Sequence, residues 1–309
     1  MFDKLYYQEK GLFLQSFHPA AVLAYLLVLL VLSLLYANPL YLLALFFLLA
    51  LLIKEVDGME AWEGFLKAGV FLMLMIMLIN PLVIRAGSTI IWHGPQAPYL
   101  GKLDISMEAL YYGAVSGIRL LVIMSIFCLY NLMINPDNIL NLFSKVAGQS
   151  VLMIVLATRM FPTMVRDLKR IKEVLQFRGV DFDEGSLWKK VKKYSYLYNV
   201  MLLSSMEDSM EIAESMQARA FGSGKRSVYS RYMLRSRDIL CAGGSFLALF
   251  AAIWGLQYGC GQYTFYPEAD VLIKGMPTII TLAAVLFYMS VPLILSEGWK
   301  NCRCLKSKI

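Results

Sequence analysis

The chain of 309 residues is 59% hydrophobic and only 17% charged, with a formal net charge of +7. That balance is far from the soluble average and points to a polytopic membrane protein. The positive excess calls for no nucleic-acid partner, because the cytoplasmic loops of membrane proteins carry a basic bias of their own.

Apolar runs long enough to cross about 30 Å of hydrocarbon as helices, roughly 17 to 25 residues each, fall near 19–36, 39–53, 65–84, 109–134, 238–256 and 273–295. Asp3, Lys4, Glu9 and Lys10 precede the first of these without a small-residue cleavage pattern, so it reads as a retained span. Ala37-Asn38-Pro39 supplies the turn chemistry for an antiparallel hairpin of the first two. The second run is short and could be tilted or partly interfacial. The segment from Arg85 to Glu108, with Trp92, Pro95, Pro98 and Tyr99, reads as an outer loop with interfacial aromatics.

Arg119 stands near the middle of the fourth run, where a charge costs at least about 2.5–3.5 kcal/mol and faces protein, water or a partner. It could pair with an acid, cap carbonyls or snorkel. Snorkelling is the weakest option from mid-span.

The long polar stretch comes next. From Leu152 the apolar residues Leu156, Met160, Met164, Leu168, Ile171 and Leu175 recur every three or four positions, which predicts an amphipathic helix that stops at Arg178-Gly179. Asp181 to Tyr198 follows, with Trp188, a Lys-rich cluster and three tyrosines, a basic and aromatic stretch suited to lipid headgroups. A second pattern runs through Met206, Met210, Ala213, Met216 and Ala220. Its Glu207, Asp208, Glu211 and Glu214 precede Arg219, the order a helix dipole favours. Neither helix reads as long or apolar enough to span, so their faces must bury against each other, the membrane helices or another protein. Methionine suits such adaptable surfaces, although it is also a routine filler of cores.

The fold expected is all-α: about six transmembrane helices with a cytoplasmic helical region. Residues 1–134 hold four spans, 135–237 the cytoplasmic helices, and 238–309 two spans and a basic tail. Lysine and arginine concentrate in 135–237 and in the tail, whereas the proposed outer loops hold only Arg85, Lys102 and Lys274. By the positive-inside rule both termini are cytoplasmic.

Motifs for chemistry are weak. Gly222-Ser223-Gly224-Lys225 lacks the first glycine of a phosphate loop, where Arg219 stands, and Arg226 replaces its Ser or Thr, so ATP binding by this chain is not expected. His18 and His93 fall on opposite sides of the predicted membrane, which argues against a shared metal site. Cys302 and Cys304 read as free thiols of a reducing compartment, and Cys128 and Cys241 as small apolar residues. No cofactor and no nucleophile–base–acid constellation is legible.

Several motifs in order carry a resemblance: Arg119, Pro136-Asp137, Arg159-Met160-Phe161-Pro162, Gln176-Phe177-Arg178-Gly179, Ala213 to Phe221 around Gln217-Ala218-Arg219-Ala220, Gly224-Lys225-Arg226-Ser227 and Asp238. With His18-Pro19 before the first span, the chain resembles the transmembrane T component of energy-coupling factor transporters. The resemblance implies that Phe177-Arg178-Gly179 and Ala218-Arg219-Ala220 close coupling helices and dock into grooves on two ATP-binding-cassette ATPases. A separate membrane subunit, the S component, would bind the vitamin or metal ion. Arg119, Arg159 and Pro162 are implied as structural or coupling residues. The family more often has a small residue where Phe177 stands and glycine where Ala220 stands. On this reading the chain is a non-enzymatic transducer in the cytoplasmic membrane. The alternatives are a multi-pass enzyme acting on lipid and a self-sufficient secondary transporter, which would need convergent catalytic residues or paired polar interruptions of the spans.

Overall fold

A computed structural model describes residues 13–83, 89–97, 101–143, 148–182, 186–224, 234–265, 271–272 and 275–301. Arg85, the Lys225-Arg226-Ser227 segment and the tail with Cys302 and Cys304 lie outside them. The chain divides into two units, one made of 1–139 with 233–309 and the other of 140–232.

The first unit is helical apart from one hairpin. α1 (Pro19–Leu35) and α2 (Pro39–Glu55) each begin with proline, whose missing N–H costs nothing in a first turn. His18 and Asn38 cap them: His18 Nδ1 accepts from Ala20 N at 3.2 Å and Asn38 Oδ1 from Leu40 N at 3.0 Å. α3 (Met59–Val83) and α4 (Met107–Met133) follow, with β1 (Ile90–Ala97) and β2 (Gly101–Ser106) between them. α5 (Pro136–Phe143) leads into the second unit, and α8 (Ser236–Gln257), α9 (Met276–Met289) and α10 (Val291–Asn301) return to the first.

Two sequence expectations change here. The segment read as a loop from Arg85 to Glu108 holds an antiparallel hairpin, with Ile90 opposite Ser106 and Ala97 opposite Gly101. The register shifts between His93 and Gln96, and Pro95 falls at that irregularity, where a missing amide is tolerated. The last run, 273–295, is broken into α9 and α10, bent by 43°. Ser290 closes α9, and Pro292 offers no amide to carry the ladder onward.

By length and composition α3, α4 and α8 suffice to cross a membrane, and the bent α9–α10 pair makes a fourth candidate when taken as one span. α1 and α2 have 17 residues each, the short end of the spanning range. Together with the apolar composition this is an all-α polytopic membrane protein.

The core of this unit buries Leu29, Leu32, Leu49 and Leu52 from α1 and α2 against Leu129 of α4 and Ala252 of α8. α3 packs on α4 along glycines. A Cβ at Gly117 would come within 2.3 Å of Met73 Cγ, and one at Gly113 within 3.1 Å of Met77 Cα. This Gly-x-x-x-Gly spacing, 113 to 117, lets two backbones approach where lipid supplies no hydrophobic drive.

In the second unit α6 (Gly148–Phe177) and α7 (Leu187–Ala218) run antiparallel. Leu175 shares one cavity with Tyr196, and Leu156 shares another with Ile212. Their 30 and 32 residues are long enough to cross a bilayer, contrary to expectation; charge, not length, sets them apart from the spans. α7 starts at Leu187, so the Lys-rich stretch is helical and forms its first turns. The acidic residues Glu207 to Glu214 therefore occupy the C-terminal third of α7, and its first turn holds no acid.

Candidate functional site

The ends of α6 and α7 are built alike. At the first, Gly179 N donates to Gln176 O at 2.9 Å and Val180 N reaches back to Leu175 O at 3.0 Å. Gly179 takes φ of 84°, so the helix closes in a Schellman motif with Arg178 at the C-cap. At the second, Ala220 N donates to Gln217 O at 2.9 Å and Phe221 N to Met216 O at 3.0 Å. Ala220 stands at φ of 54°, so a non-glycine residue holds the left-handed position and Arg219 is the C-cap. Ala220 thus holds in the second motif the left-handed position that Gly179 holds in the first.

Each motif does three things for its arginine. It satisfies terminal carbonyls that would otherwise compete for the guanidinium. It fixes where the Cα–Cβ bond leaves the helix, and it places a cation at the negative end of the helix dipole. Arg178 and Arg219 are both exposed, and among the described residues neither makes a side-chain hydrogen bond or ion pair. Phe177, the family's small position, is 92% exposed, and Phe221 after the second motif is 53% exposed. Each tip therefore presents an arginine beside an uncovered phenylalanine. Two phenylalanines at different offsets from the arginine do not read as a repeat in one dimension, so the sequence showed only the cations.

The remaining predicted residues are distributed. Arg159 is exposed on α6 and lines a groove of about 510 Å³ with Arg166, Asp167, Arg170 and Asp208. Pro162 stands inside α6 three residues on and removes one intrahelical donor. Thr158 Oγ1 donates back to Ile154 O and Val155 O at 3.0 Å in the turn that precedes it. Arg119 belongs to the other unit: its Nη2 donates to Tyr36 O at 3.1 Å, so of the three options it caps a carbonyl. Its Nε is buried and has no hydrogen-bond partner among the described residues.

A residue that sequence reasoning passed over is Arg237. Its guanidinium lies over the rings of Phe13 and Phe17, at 5.2 and 5.3 Å, and Nη2 donates to Ser16 O at 2.7 Å. Next to it Asp238, one of the predicted landmarks, is buried and accepts from the His18 and Arg235 amides. Among the described residues no group of three His, Cys, Asp or Glu side chains is arranged to hold a metal ion.

Comparison with known proteins places the chain in one family. A family model described as CbiQ, cobalt transport protein, matches residues 12–229. The energy-coupling factor transporter transmembrane protein EcfT of Streptococcus thermophilus is 28% identical over 191 residues, which is 57% of this chain and 70% of the relative. The protein of the same name from Lacticaseibacillus paracasei is 28% identical over 196 residues, 59% of this chain and 72% of the relative. That of Heliobacterium modesticaldum is 31% identical over 173 residues, 53% and 64% of the two chains.

Proposed function

We propose a function from one premise: the chain belongs to the CbiQ family of cobalt transport proteins and is a transmembrane T component of an energy-coupling factor transporter. In this reading it binds two ATP-binding-cassette ATPases through Phe177-Arg178-Gly179 and Ala218-Arg219-Ala220. It passes their ATP-driven motion to a separate S component that holds a vitamin or metal ion. The chain itself carries out no catalysis. Its six spans sit in the cytoplasmic membrane with both termini and the second unit on the inner side.

The observation that carries the reading is the pair of helix ends, each closed by the same hydrogen-bond motif around an exposed arginine. Planar guanidinium donors stay charged and pair bidentately with a carboxylate, so each tip suits an acidic groove in a way lysine would not. The helices behind the tips are unbroken for 30 and 32 residues, about 45–48 Å at 1.5 Å per residue. A displacement applied at one end of such a rod is delivered at the other. In chain order α6 follows α4 and α5, and α8 follows α7, so the coupling helices lie between membrane helices in the sequence.

The test is co-purification. Arg178→Glu combined with Arg219→Glu, co-expressed with the ATPases, is expected to give a monodisperse membrane protein that has lost both of them, because reversed charges repel the groove carboxylates. Recovery of both ATPases in normal amounts from that variant overturns the assigned contacts.

A further inference from the structure

The first turns of α7 present a surface that neither the transducer role nor the helix itself explains. Leu187, Val191 and Tyr198 recur at i, i+4 and i+11, which puts them on one face, and Tyr194 at the edge of that face turns to the rest of the unit, its ring 5.4 Å from that of Phe182. Leu187 is 82% exposed, Trp188 beside it 81%, Val191 58% and Tyr198 52%. The contact with the rest of the unit lies on another side, where Leu197 is buried and the stems of Lys189, Lys192 and Lys193 line an apolar cavity with Leu175, Val180 and Phe182. At 100° per residue, Lys190 and Lys192 flank the exposed stripe on its two edges.

From Leu187 to Tyr198 there are four lysines and no acidic residue; the acids of α7 begin at Glu207. A helix dipole favours the reverse order, with anions near the N-terminus and cations near the C-terminus. Intrahelical electrostatics therefore oppose the arrangement. An anionic surface outside the chain reverses that sign, and an apolar stripe between lysines, with Trp and Tyr among its residues, has the composition of a helix lying in a membrane interface.

We propose that Leu187–Tyr198 is an in-plane anchor on the anionic phospholipid of the leaflet facing the second unit, with Leu187, Trp188 and Val191 inserted among the lipids and the flanking Lys190 and Lys192 at headgroup phosphates. The anchor rests on the chain being a membrane protein and is independent of whether the arginine tips bind ATPases. It tethers the start of α7 to the bilayer while the far end, at Arg219, stays free to move.

The test uses the full chain reconstituted into vesicles of equal parts phosphatidylglycerol and phosphatidylcholine, with a fraction of the acyl chains brominated. The Trp188 emission is isolated as the difference between the natural chain and Trp188→Phe. It is expected to be quenched by bromolipid in these vesicles. Quenching is expected to fall at least severalfold in phosphatidylcholine alone, and in the variant Lys190→Gln combined with Lys192→Gln, since each lysine near an anionic leaflet is worth about fivefold in partitioning. Adding Leu187→Ser with Val191→Ser to otherwise natural chain is expected to abolish quenching even in the anionic vesicles. Trp188 emission that bromolipid leaves unchanged in anionic vesicles overturns the proposal. So does quenching equal in both lipids, or a Trp188 shielded from aqueous iodide only when the other transporter subunits are added, which would mean that protein covers the stripe.

Discussion

The backbone amide of His18 donates to Asp238 Oδ1 at 3.0 Å, across 220 positions of sequence, while Asp238 Oδ2 accepts from Arg235 N at 2.9 Å. One carboxylate thus joins the start of α1 to the start of α8. Replacing it strands two amide donors, one of them facing a buried site, and a buried donor left unmade costs about 1–3 kcal/mol. Asp238→Ala is expected to lower the denaturation midpoint of the purified protein accordingly. Asp238→Asn, which retains one carbonyl acceptor, is expected to fall between the two. An alanine variant as stable as the natural protein would remove the carboxylate from this role.

The tips make a second prediction. A left-handed backbone costs an L-residue about 1–2 kcal/mol relative to its right-handed form, part of which glycine gives back as unfolded-state entropy. Ala220→Gly is therefore expected to stabilise the end of α7 by up to about 1 kcal/mol, and Gly179→Ala to weaken the end of α6 by a similar amount. Hydrogen-exchange protection of the last turn of each helix measures both. Equal protection in all variants would mean that the Schellman closures are not held in solution.

Gly259 and Gly261 separate conformation from space. Both have positive φ, 73° and 84°, but an added Cβ meets nothing at the first and comes within 2.4 Å of Tyr36 Cδ1 at the second. Gly261 O also accepts from the Ala37 and Asn38 amides. Gly259→Ala is expected to cost about 1–2 kcal/mol from its backbone alone. Gly261→Ala adds about 1–3 kcal/mol of overpacking. Thermal unfolding in detergent should rank them in that order, and the reverse ranking would contradict the packing of Tyr36.

Pro162 offers a fourth. Proline inside a helix is about 3 kcal/mol less favourable than alanine, because it removes a donor and crowds the preceding turn. Pro162→Ala is expected to raise the exchange protection of α6 around Thr158 to Arg166. If bending at this point serves transmission, ATP-driven uptake by the assembled transporter falls although the chain is more stable. Unchanged uptake would make Pro162 a tolerated defect.

How much of this was legible depended on the range of the interaction. α1 and α2 were visible because Pro19 and Pro39 open them and the apolar runs end at turn residues within a few positions. The two arginines stood out for the same reason, each closing a local pattern. The bend after Met289 was missed despite Pro292, since hydropathy averaged over a window does not register a single absent amide. The extent of α7 was missed because Lys189, Lys190, Lys192 and Lys193 give its first turns a basic composition that masks the helical spacing of Leu187, Val191 and Tyr198. Ala220 in a left-handed conformation runs against its propensity, and only the hydrogen bonds to Gln217 and Met216 reveal it. The partners of Arg119 and Asp238 lie 83 and 220 residues away. No local pattern encodes such pairings.

The long separation of His18 from Asp238 also has a meaning in time. A ribosome adding about 5–20 residues per second needs on the order of ten to forty seconds to travel between them. Throughout that interval α1 is already in place while α8, whose first turn Asp238 belongs to, is unmade, and Met289 O, which accepts from Tyr25 Oη at 2.8 Å, comes later still. The buried face of the first helix must therefore be sheltered by lipid, by α2 and α4, or by the insertion machinery until α8 and α9 are synthesised. Assembly of the membrane unit is in this sense a late closure, completed by α8 and α9.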